Sequence, residues 1–234
     1  NLGDMGLTTG SLINPYLTQY VNSGTTVTVP PGTYRLASLD LVRDNWTLIA
    51  PEGATLKVTG VVHFRPQGSN WRLSGFVFDQ RGDNLFHLNP RGANWQVDNC
   101  AWRGEHPGGN RLMTPSVTSP GATGIMDRIY MGDGQAPYTS TGGVWTNTDH
   151  RGDLYFKRWY IAHMVDNGIY GTPSGVSITG RAHFEDCFFH ANTISNARTG
   201  TLHDTVYIRR CVFLMDTTNP PCGVGCSSWG STNT

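Results

Sequence analysis

Apolar and polar positions alternate in short runs along most of the chain, and no long stretch holds a 3.6-residue apolar period. Period-two alternation places successive side chains on opposite faces of a strand, so the pattern predicts many short strands. Two of these runs, VHFRPQGSNW from Val62 and FHLNPRGANW from Phe86, carry His, Pro, Gly, Asn and Trp at the same offsets and lie 24 residues apart. Each Asn-Trp pair opens a further run: NWTLIAP at Asn45, NWRLSGFVF at Asn70 and NWQVDNCAW at Asn94. Three later runs keep the frame without the Asn-Trp: FKRWYI at Phe156, FEDCFF at Phe184 and IRRCVF at Ile208.

In register, an apolar residue (Leu48, Leu73, Val97, Phe156, Phe184, Ile208) is followed three positions on by Pro51, Phe76, Cys100, Trp159, Cys187 or Cys211. Two further on stand Phe78, Trp102, Ile161, Phe189 and Phe213, with Gly53 the exception. Self-similarity at a fixed period of this size marks a solenoid. Helical repeats would need longer amphipathic units, and the LxxLxL pattern of leucine-rich repeats is missing. The expected fold is all-β: one single-stranded parallel β-helix domain over residues 1–234, with about seven or eight coils stacked roughly 4.8 Å apart. Gly68 and Gly92 supply turn conformations that a β-carbon resists, and Asn70 and Asn94 can bond the backbone at a stacked corner.

One interval breaks the period. Val97 and Phe156 are 59 residues apart, so 104–143 is read as an inserted loop region, with room for one partial coil inside it, of the kind that projects from a solenoid and carries recognition. At the front, SLINPYLTQYVNSG is a short amphipathic segment within an N-terminal cap over 1–25, which would hide the open end of the first coil. Residues 217–234 read as a C-terminal tail.

Composition narrows the partners. The 17 cations balance the 17 anions, and only 15% of the chain is charged, so the basic footprint of a nucleic-acid binder is absent. No run of eighteen apolar residues predicts a membrane-inserted helix. The chain opens at Asn1 without a signal-peptide pattern, as expected of a processed product or an excised domain. Five cysteines form an odd set. Cys222 and Cys226 could close a small disulfide loop in PPCGVGC. Cys187 and Cys211, at equivalent positions on consecutive coils, are open either to a disulfide or to stacking as free thiols. An extracellular, oxidising setting is favoured.

TVTVPPGTYRLASLDLVRDNWTLIAPEGATLKV, from Thr26 to Val58, resembles the first coils of the pectate-lyase-like right-handed parallel β-helix superfamily. HRGDLYF, DNGIYG and ANTISNART are similar to segments of uncharacterised secreted β-helix proteins of haloarchaeal type, although the neutral charge departs from the acidic composition usual at high salt. The resemblance implies a right-handed coil. It leaves function open among lyases, hydrolases, epimerases, phage tailspikes and adhesins.

The densest polar cluster is Asp149, His150, Arg151 and Asp153, with Asp166, Arg198, His203 and Asp204 on following coils. If the protein is an enzyme, Asp149, His150, Arg151 and Arg198 are its catalytic candidates, since an Arg or His flanked by carboxylates can act as a base and an Arg can clamp a uronate. Asp153, Asp166, His203 and Asp204 are carbohydrate-binding candidates. WTNTDH, at Trp145 to His150, is a distant echo of a calcium-dependent lyase signature, and NTD within it matches a fragment of a polygalacturonase pattern. The clustered carboxylates that Ca²⁺ needs are not visible, so no metal or cofactor is expected. RGD occurs at Arg81 and at Arg151, where turn chemistry accounts for it. His63 and His87 read as a surface ladder with too few ligands for a metal. Trp46, Trp71 and Trp95 are either core or an exposed strip for sugars or a partner subunit. The leading expectation is an extracellular, cell-surface or virion module of spike, adhesin or filament type, engaging polysaccharide, cell-surface glycan or other copies of itself by self-association. The alternative is a polysaccharide lyase or glycoside hydrolase acting on an acidic polysaccharide.

Overall fold

The computed structural model describes residues 1–137, 139, 141–171, 179–199 and 205–216, and the backbone of 224–227. Within these the chain winds as an all-β parallel solenoid of about seven turns, with one helix at Asn14–Tyr20. Every strand pairing is parallel. The main sheet runs through Thr26–Thr28, Thr47–Lys57, Arg72–Asp79, Trp95–Arg103, Thr123–Met131, Asp153–Lys157, Arg181–Glu185 and Val206–Arg209. The opposing wall comprises Leu39–Val42, Val61–Ser69, Leu85–Leu88, Arg91–Ala93 and Ser116–Val117, followed by Val144–Trp145, Asn167–Tyr170, Ser195–Arg198 and Val224–Ser227. Met113 joins the earlier and later strands of that wall by bridging both Leu88 and Val144.

The column expected from the repeat is present and longer than expected, buried from Val27 to Phe184 and exposed at Ile208. Val27, Leu48, Leu73, Val97, Met126, Phe156, Phe184 and Ile208 are successive register partners. Met126 corrects the reading of 104–143 as one excursion. Thr123–Met131 is a full rung of the main sheet, paired with Trp95–Arg103 on one side and Asp153–Lys157 on the other. The 59-residue interval is therefore two long coils of 29 and 30 residues, whose extra length lies in the segments between strands. Residues 217–234 are likewise not all tail, because Val224–Ser227 pairs with Ser195–Arg198.

Two positions in the sequence register also shift. Between Ile49 and Ala54 the strand bulges, so Ala54 is the partner of Phe76 and Leu56 that of Phe78. Pro51 and Gly53 belong to the bulge, which disposes of the Gly53 exception.

Corners explain why these residue types recur. Asn45, Asn70 and Asn94 all have φ between 54° and 57°, the left-handed region that Asn tolerates better than most residues. The Asn70 amide donates to Asn45 Oδ1 at 3.0 Å, and Asn94 Oδ1 accepts the Thr123 N–H at 3.1 Å, so the side chains tie rung to rung. A second corner stacks Gly75, Asn99, Arg128, Arg158, Asp186 and Arg210, all with positive φ. It bends each rung of the main sheet at the same place.

The three tryptophans are core. Trp46, Trp71 and Trp95 are each 1% exposed and lie parallel at centroid separations of 5.1 and 5.5 Å. Their indole N–H groups donate to the backbone oxygens of Arg43, Arg91 and Ser116. The stack stops at Gly124, where a Cβ would sit 2.5 Å from the Trp95 ring. At the N-terminal end, Ile13, Leu17 and Val21 of the helical segment are fully buried. Arg43 donates to the backbone oxygens of Thr18 and Val21, and Asn14 bonds Ala37, fixing the segment against the first coil.

Candidate functional site

The opposing wall carries a groove of about 520 Å³. Trp145 lines it, and on the following rungs its register partners are Tyr170 and then Arg198, outside the lining. The groove walls are His87, Asn110, Arg111, Thr114, Asn147 and Thr148. Period-two alternation turns Trp145 outward because its strand neighbour Val144 is fully buried. Arg111 lies over the Trp145 ring at 5.4 Å and its Nη1 reaches Asp166 at 3.5 Å. Arg198 covers the Tyr170 ring at 4.6 Å. The Trp145 indole N–H is buried without a partner.

Histidines line the same wall. His87 Nδ1 is 3.0 Å from His63 Nδ1, and His87 Nε2 is 2.8 Å from Thr114 Oγ1. Burial lowers the His87 pKa to about 3 and, to a lesser extent, that of His63. The expected surface ladder of His63 and His87 is thus half right. The two rings do sit on adjacent rungs, but His87 is 7% exposed and bonded to Thr114 in the next coil.

The predicted site residues take separate posts. Asp149 is 2.6 Å from Arg91 Nε, beside the groove residues Asn147 and Thr148. His150 is fully buried: Nδ1 accepts the Val117 N–H at 3.2 Å, and Nε2 donates to the Arg181 carbonyl at 3.0 Å. Burial lowers its pKa, so it is a neutral cross-tie between coils. Arg151 donates to the carbonyls of Thr148 and His150. Arg198 stacks on Tyr170. Of the four catalytic candidates, Arg151 and His150 meet through a backbone carbonyl, while Asp149 pairs with Arg91 and Arg198 with the Tyr170 ring.

Asp153 stands on the outer face of the main sheet. It takes a bidentate pair from Arg181 at 2.7 Å and a bond from His183 Nε2 at 2.8 Å; the Arg181 bonds chiefly hold its carboxyl at about 2. His183 is sandwiched between Tyr155 and Tyr207 at 4.2 and 4.6 Å. Asp153 and Arg151 border a smaller recess of about 230 Å³ with Arg181 and Thr179. Asp166 belongs to the groove through Arg111. His203, Asp204 and Cys222 lie outside the described residues, and of Cys226 only the backbone is described. Cys187 and Cys211 do occupy adjacent rungs, as free thiols rather than a disulfide. Each donates to strand carbonyls, Cys187 to Phe156 and Glu185 and Cys211 to Arg209, which satisfies both sulfurs without a cross-link.

Sequence reasoning missed the groove for a physical reason. Asn110, Arg111 and Thr114 fall in the long-turn coils, where no repeat signal marks them. Trp145 was visible only as the first letter of WTNTDH. Among the described residues no three His, Cys, Asp or Glu side chains group as a metal site. Comparison with protein-family models, with curated proteins and with solved structures finds no match for this chain.

Proposed function

We propose that the protein is a glycan-binding β-solenoid module of an extracellular or particle surface, acting by adhesion, with the Trp145 groove as its binding face. One observation carries the reading: a single recess combines an outward indole with carboxamide, hydroxyl and guanidinium groups, the mixed lining that sugar rings with apolar faces and hydroxyl rims require. The carboxamide oxygens of Asn110 and Asn147 are already taken by the backbone N–H groups of Arg111 and Thr148, which leaves their NH₂ ends for a ligand. The rung spacing suits an extended ligand, since Tyr170 and Arg198 continue from Trp145 at one side chain per coil beyond the groove's own lining. A rigid stacked scaffold also holds the groove open without an ordering cost on binding.

Arg111 of the groove lining is compensated by Asp166, and Arg91 nearby by Asp149. Recognition therefore rests on hydrogen bonding and stacking, and binding will depend only weakly on salt. The test is a glycan array followed by titration calorimetry of the best ligand. Loss of binding in Trp145→Ala with an unchanged melting temperature, and a Kd that moves less than about threefold between low and high salt, support the reading. Silence across the array, or binding untouched by Trp145→Ala, overturns it.

A further inference from the structure

His63, His87 and Thr114 form a chain of three side chains that ends inside the groove. Thr114 and His87 both line it, while His63 stands behind His87, outside the lining. Thr114 Oγ1 lies 2.8 Å from His87 Nε2, and the far nitrogen of the same ring, Nδ1, lies 3.0 Å from His63 Nδ1. A hydroxyl in reach of a base whose other nitrogen is oriented by a third group is the geometric signature of an activated nucleophile. We propose that Thr114 is a nucleophile for short-chain O-acyl esters, with His87 as its general base and His63 as the positioning residue.

The assignment fixes the tautomers. His87 Nδ1–H donates to the bare Nδ1 of His63, which leaves the His87 Nε2 lone pair facing the Thr114 O–H. Burial keeps His87 neutral at physiological pH, so its lone pair is free, and the same burial makes the ring a weak base that holds the Thr114 proton only until the leaving oxygen takes it. In the first half-reaction Thr114 Oγ attacks the ester carbonyl carbon and its proton passes to His87 Nε2. The carbon–oxygen bond to the alcohol then breaks, and the same proton leaves with the departing oxygen. In the second, water attacks the acyl-threonine carbonyl and passes a proton to His87. The carboxylic acid departs as Thr114 Oγ takes that proton back. The NH₂ ends of Asn110 and Asn147 line the same groove and are the candidate donors to the developing oxyanion. That the natural ester is an acylated sugar rests on the glycan-binding reading; the acyl transfer itself does not.

The experiment uses the full chain with p-nitrophenyl acetate, following nitrophenolate release and mapping the acetyl group by peptide mass spectrometry. Acetylation at Thr114, release slowed about 100-fold in Thr114→Val and in His87→Gln, and retained activity in Thr114→Ser are expected. His63→Leu should lose activity, and His63→Asn, whose Oδ1 replaces the accepting nitrogen, should recover most of it. Melting curves of each variant exclude a folding loss, and Thr114→Val is close to isosteric. Acetylation only at surface lysines, or nitrophenolate release equal in Thr114→Val and wild type, overturns the proposal. An array-positive protein that is inert to the ester sinks the nucleophile alone; an active ester cleaver that is array-negative sinks the adhesin reading and leaves the nucleophile standing.

Discussion

Asp98 lies in the outer face of the main sheet with no exposure, and its carboxylate is fully bonded. Arg72 grips it through two nitrogens at 2.8 and 3.1 Å, Ser74 donates at 2.7 Å, and Gln96 and Asn99 complete the set. Burial alone would push this carboxyl up; the Arg72 and Ser74 bonds outweigh it and hold it below the usual range. Ser74 and Asp98 are register partners, so the bonds tie two rungs on the outside as the tryptophans tie them on the inside. Removing the acceptor leaves the buried Ser74 hydroxyl without it, while the half-exposed Arg72 guanidinium turns to water. Asp98→Ala is expected to destabilise the fold by about 2 to 3 kcal/mol in urea titrations, whereas Arg65→Ala, which removes an exposed pair with Asp40, costs less than about 1 kcal/mol. The sequence held a hint of this in the alignment of NWRLSGF with NWQVDNC. Nothing in the string said that Arg72 would reach across.

Within the turns and strands, glycines divide into those that fill a conformational need and those that also make room. Gly53 and Gly92 both have positive φ, 83° and 131°. A Cβ on Gly53 meets nothing within 4 Å, while a Cβ on Gly92 would fall 1.7 Å from the carbonyl oxygen of Gly68 on the preceding rung. Gly68 is packed the same way against Arg43. Gly53→Ala is therefore expected to cost about 1 kcal/mol, the strain of the left-handed conformation alone. Gly92→Ala must push adjacent rungs away from each other and is expected to cost about 3 kcal/mol or more. Midpoints of chemical denaturation for the two variants distinguish the cases. The repeated decapeptides marked Gly68 and Gly92 as special, but the period could not say that their function is close stacking as well as turning.

Across the whole solenoid, burial of histidines sets the response to acid. His87 and His106 are driven down to about 3 and about 4, and His150 is lowered, in each case chiefly by burial. A ring whose folded pKa lies below its unfolded value of about 6.5 binds its proton preferentially in the unfolded chain. The stability it contributes is complete above about pH 6.5 and is lost as pH falls toward its folded pKa. Three such rings act together, so the urea midpoint is expected to fall steadily between pH 7 and pH 4, by up to about 1.4 kcal/mol per pH unit for each ring. A midpoint flat over that range, with losses only below pH 4, would assign the acid response to carboxylates instead.

The solenoid was legible from the chain alone, because stacking imposes one rule on every coil: an apolar residue inward, an Asn or Gly where the backbone turns left-handed, a fixed count between them. Leu48, Leu73, Val97, Phe156, Phe184 and Ile208 could be read as one column for that reason. Where the turns lengthen the count fails, and the rung at Met126 disappeared into an apparent insertion. Which polar residues meet was settled by the packing of the coils. His150 and Asp153 are three apart in the chain yet one is inside and the other outside, while Thr114, His87 and Trp145 come from three coils to one groove. Proximity between coils depends on where each turn places its strand, and a turn of variable length carries no periodic trace of that.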